Sequence, residues 1–198
     1  MPTAEGDHAK YAVEYAKFGV DVYGPEDIME KKQFPFGKFH PLLAEKTKKI
    51  GSFSVVPFAN FHDVPIFGYI IHHKEMGNLL FSTDSYKIEI AFGGIDHYLI
   101  EANYADPILK ENVWDGKLDK QQADRIMLSH MSLDYCIKYL RDSGVGGTES
   151  KTKTITLCHL SERNSYPDQF KNAVAGTFGI PTFVATKGLV VELNKDII

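Results

Sequence analysis

The hydrophobic period of this chain changes once, and that change restricts the fold more than any other feature. Ser52 to Phe58, Phe67 to His72, Asn78 to Ser82 and His97 to Glu101 are rich in β-branched, aromatic or aliphatic residues and bounded by turn chemistry, so they read as successive strands. Lys120 to Met127 and Ser132 to Leu140 then carry apolar residues at intervals of three and four, which predicts two helices. Ser132, with Asp134 behind it, is the expected N-terminal cap of the second. Thr152 to His159 returns to alternation and a helix follows over about Asp168 to Ala175. Pro181 to Ala185 and Gly188 to Leu193 read as a final hairpin turning at Thr186-Lys187. Upstream, Ala9 to Phe18 is an amphipathic helix stopped by Gly19, and Val20 to Tyr23 is a short strand ended by Gly24-Pro25. Pro25-Glu26-Asp27 resembles the start of another short helix. The expectation is a layered α/β domain of mixed strand direction, one unit over residues 1–198, with no repeat and no linker.

Composition enters as a set of exclusions. A chain of 198 residues, 43% of them apolar, can bury a proper core and is neither a stapled mini-protein nor a disordered tail. Cys136 and Cys158 cannot make a disulfide framework, and no leader-like stretch opens the sequence, so a reducing, cytoplasmic setting is the expectation. Its longest apolar stretches, such as Val64 to Ile71, fall far short of the roughly 20 residues a bilayer span needs, which argues against membrane insertion. The net charge of −4, from 22 Lys and Arg against 26 Asp and Glu, does not decide the partner, because nucleic-acid binding depends on local charge. Lysines cluster at 31–32, 46–49 and 151–153, and the plain reading of each cluster is a solvated face or loop.

Four short segments put histidine and aspartate at strand ends or helix mouths: Gly6-Asp7-His8, Phe61-His62-Asp63, Ser82-Thr83-Asp84-Ser85 and Cys158-His159-Leu160-Ser161-Glu162-Arg163-Asn164. Imidazole and carboxylate suit zinc and its first-row neighbours, and loops on a rigid scaffold are where such ligands sit. Singly, each has an ordinary reading: a hydrogen-bonded histidine, an aspartate that caps a turn.

Taken in order, these segments resemble the metallo-β-lactamase fold hydrolases from Gly6 to Leu193. That family's metal motif is His-x-His-x-Asp-His at a strand-to-helix junction, and Asp7-His8 before the first helix looks like its second half. His62 matches the next histidine, Asp84 the aspartate that bridges two metals, and His159 the last histidine. Phe81-Ser82-Thr83-Asp84, Ile100-Glu101-Ala102-Asn103-Tyr104 and the segment after His159 look most like the YycJ (WalJ) exonucleases and, more distantly, tRNase Z. The resemblance implies an αββα sandwich, here shortened at the N-terminus, because Thr3 and Glu5 stand where the two leading histidines belong.

It further implies a ligand set of Asp7, His8, Asp84 and His159, with His62 as the remnant of the other metal position. Zinc is the expected ion, with manganese or iron as alternatives. Asp7, Asp84 and His130 are the expected catalytic residues. Ser161, Arg163 and Asn164 are expected to contact substrate phosphate or to orient an imidazole; capping of the loop before Pro167 is the alternative. Cys136 and Cys158 read as packing. The implied activity is metal-assisted phosphodiester hydrolysis, as a nuclease or phosphodiesterase acting on nucleic acid. The alternative is a catalytically inactive module keeping the same fold, and a small thioester or lactam substrate is a third possibility. A sheet short of its opening strands is expected to pair with a second copy or a partner chain.

Overall fold

The computed structural model describes residues 11–62 and 66–194. Its elements are α1 (Ala12–Lys17), β1 (Val22–Pro25), α2 (Asp27–Lys31), β2 (Phe39–Leu42), β3 (Lys48–Ile50), β4 (Phe53–Asn60), β5 (Ile66–His73), β6 (Gly77–Ser82) and β7 (His97–Glu101). There follow α3 (Asp106–Trp114), α4 (Lys120–Ser129), α5 (Leu133–Asp142), β8 (Thr154–Cys158), α6 (Pro167–Phe178) and β9 (Thr182–Val184).

Strands β3 to β9 form one seven-stranded sheet in sequence order, while β1 and β2 form a separate parallel pair. The large sheet has two halves. From β3 to β6 the strands run antiparallel, joined by turns; from β6 to β9 they run parallel, with helices in the longer crossovers. Register aligns Tyr98 with Ile155 and Ile100 with Leu157, so one face of the parallel half is apolar. Those four side chains pack under Cys136, Tyr139 and Leu140 of α5 and Phe170 and Val174 of α6. Full burial of Tyr98, Phe170, Ile100 and Leu157 stabilises the core by about 1.5–3 kcal/mol each. Among the described residues no helix is long and apolar enough to cross a membrane.

The helices form where their ends are satisfied. Asp119 accepts the Gln121 N–H at 3.0 Å to start α4, and Ser132 accepts the Tyr135 N–H at 3.2 Å to start α5, the cap its sequence calls for. Gly179, at φ +68°, closes α6. The lysines at 46, 48 and 49 are solvent-exposed, and two of them lie on the edge strand β3, where their charge discourages pairing with another chain.

The expected C-terminal hairpin does not form. β9 joins the sheet parallel to β8, with the Ala185 N–H continuing the ladder to the Leu157 carbonyl at 2.8 Å. A turn forms one residue later than expected, centred on Lys187 and Gly188, as the Leu189 N–H reaches the Thr186 carbonyl at 3.0 Å, but Gly188 to Leu193 makes no strand. Its Val190 is 86% exposed, while Val191 and Leu193 are half-buried without pairing to a strand. Strand β1 also starts later than Val20 and runs through Gly24 and Pro25, since only one of its edges is paired and Pro25 ends the strand.

Candidate metal centre

Strands β6, β7 and β8 are neighbours and parallel, so their C-terminal ends share one rim, and β4 runs in the same direction as β6. Crevices beyond the carboxyl ends of parallel strands are where α/β sheets bind ligands. His62 follows β4, Asp84 follows β6, Glu101 ends β7 and His159 follows β8. His130 reaches the same rim from the α4–α5 junction. That junction is tied to the segment after β7 by the Asn103 N–H to the Met131 carbonyl and the Leu133 N–H to the Tyr104 carbonyl, each 2.8 Å.

Glu101 organises the cluster. Its side chain is completely buried, and one oxygen, Oε1, lies 2.8 Å from His130 Nδ1 and 2.9 Å from His159 Nδ1. The other oxygen accepts the Ser85 backbone N–H at 2.8 Å. An ionised carboxylate only accepts, so both imidazoles donate through Nδ1 and carry their lone pairs on Nε2. His62 is fixed in the same tautomer, because its Nδ1 faces the Ser129 carbonyl at 3.0 Å and a carbonyl cannot donate. The three rings form an arc, with centroids 5.5 Å apart from His62 to His130 and 5.1 Å from His130 to His159.

Asp84 stands across from this arc. Its Oδ1 is 3.3 Å from His159 Nε2 and 3.8 Å from His130 Nδ1. Since His159 has committed its Nδ1 proton to Glu101, a neutral ring presents a lone pair to a carboxylate oxygen. Two acceptors at that distance repel unless a cation or a second ring proton lies between them. The spacing also fits a metal: two ligands about 2.0–2.1 Å from one tetrahedral ion stand about 3.3–3.4 Å apart. Asp84, Glu101, His130 and His159 each offer a ligand atom, all within 4.8 Å of one another. The donor set, two carboxylates and two imidazoles, therefore fits a divalent ion, with Glu101 better placed to orient the rings than to bind.

Backbone strain marks the same two residues. Asp84 at φ +52° and His159 at φ +56° are two of the three non-glycine residues with positive φ among the described residues. Such conformations persist where surroundings enforce them, and they cluster at functional sites. For His159 the enforcing contact is Asn103, whose side-chain amide donates to the His159 carbonyl at 2.7 Å.

The remaining candidates fall into two groups. Asp7 and His8 lie outside the described residues. Ser161, Arg163 and Asn164 occupy the loop after His159. Ser161 Oγ accepts the Asn164 side-chain amide at 3.1 Å, and Asn112 of α3 donates to both the Arg163 carbonyl, at 2.8 Å, and Asn164 Oδ1, at 2.9 Å. Ser161 and Asn164 thus brace the loop, and Arg163 faces solvent. Cys158 is half-buried one residue before His159, and burial pushes its thiol up to about 12, so without a bound ion it stays protonated at neutral pH. Glu101 is the central residue that sequence pattern alone does not expose as a site residue: its signal is a carboxylate closing an otherwise apolar strand, His97 to Glu101.

No protein-family model matches this sequence, and neither does any curated protein. Solved structures do match the fold. The metallo-β-lactamase fold protein YhfI from Bacillus subtilis superposes with a TM-score of 0.70 at 14% identity, over 96% of this chain and 75% of that one. Igni18, a metallo hydrolase from the hyperthermophilic archaeon Ignicoccus hospitalis, gives 0.66 at 12% identity, over 96% and 76%. A diphosphatase of the PhnP family gives 0.55 at 14% identity, over 86% of this chain and 56% of that one. With its sheet flanked by helices and its histidines and carboxylates gathered at one rim, this chain has the metallo-β-lactamase fold.

Proposed function

We propose that this protein is a metal-dependent hydrolase of phosphodiesters, a nuclease or phosphodiesterase near the YycJ group, with Asp84 and His159 as ligands of a divalent ion. The observation that carries the reading is the facing pair of acceptors, His159 Nε2 and Asp84 Oδ1, with the other histidine nitrogen already committed to buried Glu101. Zinc is the ion of choice for mixed imidazole and carboxylate donors. When bound, such an ion supplies neutralisation of phosphoryl charge and acidification of water.

This chain's own residues do the rest. Glu101 fixes the tautomer and rotation of two imidazoles, so that His159 Nε2 faces Asp84 without reorganisation. His130, hydrogen-bonded through Nδ1 to a buried carboxylate, is placed to take a proton from an attacking water and return it to a leaving alkoxide. Arg163, exposed on the adjoining loop, is available to a phosphate oxygen.

The test is metal content together with turnover. Protein refolded with zinc, manganese or iron and freed of excess metal should retain bound ion and hydrolyse bis(p-nitrophenyl) phosphate and oligonucleotides. Failure to retain any of the three, with no cleavage of either substrate, returns the protein to the class of non-catalytic modules on this fold.

A further inference from the structure

The segment that follows Asp84 carries a cation that the metal centre does not use. Lys87 Nζ lies over the Phe61 ring, 4.3 Å from its centroid, and 5.6 Å from the centroid of Tyr86, and the two rings meet edge to face with centroids 6.1 Å apart. A cation within about 6 Å of an aromatic centroid is held by the ring's quadrupole. The seat is tied to the metal centre through Ser85, which is fully buried. The Ser85 N–H donates to Glu101 Oε2 at 2.8 Å, while its hydroxyl accepts the Phe61 N–H at 2.9 Å and donates to the Lys87 carbonyl at 2.6 Å. The Tyr86 N–H adds a bond to the Phe61 carbonyl at 3.1 Å. From the first turn of α5, the helix that follows His130, the Tyr135 hydroxyl donates to the Ile88 carbonyl at 3.1 Å.

Chain geometry keeps this cation near the ion without making it a ligand. Phe61 directly precedes His62, and Tyr86 and Lys87 follow Asp84 by two and three residues, so their Cα atoms stand within about 8 and 11 Å of the Asp84 Cα. The ion pair of Lys87 is with Glu89, at 2.7 Å, which sets its charge apart from the ligand atoms at the rim. Glu89 is 58% exposed, so a phosphate oxygen can replace it at little cost. The rings stay in place through that exchange and keep the ammonium near its bound position, which limits the side-chain entropy lost on capture. Asp84 and Glu101 make the rim anionic, and a fixed cation beside them lowers the repulsion that a polyanion meets there.

We propose that Lys87, held by Phe61 and Tyr86, binds the phosphate that neighbours the scissile one along a polynucleotide strand. The proposal rests on the phosphodiester reading above and narrows the substrate to one with at least two phosphates.

The test is binding as a function of salt. A fluorescent phosphorothioate oligothymidylate, as charged as the natural chain and slow to be cut, is titrated with zinc-loaded protein and followed by anisotropy. Lys87→Met should weaken the affinity about 5-fold, the upper range for one solvated ion pair, and lower the log–log salt slope by about 0.7, the share of one phosphate on a single strand. Lys87→Arg, which keeps a cation able to sit on the rings, should restore both. No binding by the parent, or equal affinity and slope in Lys87→Met and parent, overturns the contact. So does an equal rise in KM for bis(p-nitrophenyl) phosphate, which has a single phosphate and would put Lys87 on the scissile group instead. If the contact fails while the parent still cuts bis(p-nitrophenyl) phosphate, the hydrolase reading stands; a parent that cuts nothing yet shows the Lys87-dependent slope keeps the phosphate site and loses the hydrolase reading.

Discussion

The two ends of the parallel half of the sheet carry the same residue types and use them in opposite ways. At the C-terminal rim, carboxylates and imidazoles face one another: one Glu101 oxygen serves two rings, and Asp84 confronts His159 at 3.3 Å. At the N-terminal end, Asp96 and His97 are adjacent in sequence and both buried, and each makes a local hydrogen bond. Asp96 Oδ2 accepts the Asn78 N–H at 2.8 Å, and His97 Nδ1 pairs with Thr154 Oγ1 at 2.8 Å. Histidine plus aspartate is therefore not a site by composition. What distinguishes the rim is acceptor facing acceptor, which a cation or a second ring proton must resolve, whereas at the other end every named contact matches a donor with an acceptor.

The largest expected effect breaks the rim and leaves the other end alone. Asp84→Asn keeps the shape and suits a positive φ, which asparagine tolerates, but removes the charge that opposes His159 Nε2. Metal affinity should fall by more than the 10- to 100-fold typical of losing an orienting partner, and hydrolysis should fall with it. Bound metal per chain and turnover of bis(p-nitrophenyl) phosphate measure both. Retention of metal by Asp84→Asn would remove Asp84 from the ligand set.

Glu101→Gln sharpens the comparison. The amide either keeps its oxygen on both Nδ1–H groups and turns its NH2 against the Ser85 N–H, or turns its NH2 against both imidazoles. Either orientation disturbs the seat of the two rings, so metal affinity should drop about 10- to 100-fold with the fold retained. Isothermal titration with zinc, alongside thermal melting, separates this from unfolding. A variant that binds zinc as the parent does would reduce Glu101 to a buried structural carboxylate.

Strand positions from β4 to β8 could be read from the sequence because those segments alternate or run apolar between turns, and each found a partner of matching register. α3 could not: Asp106 to Trp114 buries only Leu109 and offers little periodicity, its place being set by the Ala105 and Asn112 contacts to the His159 loop. β2 and β3 are too short for a pattern to build. Gly188 to Leu193 has strand-like composition, yet strand formation depends on a neighbouring edge, and the sheet takes β9 and no more. At the site, His62, Asp84, His130 and His159 were accessible through their neighbours in sequence. Glu101 was not, because its role comes from the parallel register that sets it opposite Cys158 and beside two histidines 29 and 58 positions away.

Gly77→Ala attacks the other end. Gly77 sits at φ +81°, and a Cβ there would stand 2.3 Å from Asp96 Oδ2, displacing the carboxylate that accepts the Asn78 N–H. Left-handed strain and the clash together should cost about 2 kcal/mol or more, a fall in melting temperature of roughly 4–8 °C for a chain of this size. Zinc affinity of the folded fraction should not move. A parallel loss of zinc affinity would mean that the two ends of the sheet are coupled.

The smallest effect is a pH dependence confined to the N-terminal end. Burial is the main cause holding the His97 pKa below its ordinary 6.5, with the Asp96 charge acting in the opposite direction. In the unfolded chain the imidazole takes up its proton as pH falls through about 6.5, while in the folded protein it does so only at lower pH. Between those values the unfolded chain binds more protons, so stability rises with pH there. The contribution of neutral His97 is fully present above about 6.5 and is lost as the pH drops toward the folded value. His97→Gln should therefore flatten the decline in melting temperature between neutral and mildly acid pH. The relevant reading is the difference between parent and variant melts in chelator, where the rim holds no metal in either protein. An identical pH slope in the two would show that His97 takes up no extra proton on unfolding, and that the N-terminal end of the sheet contributes packing alone.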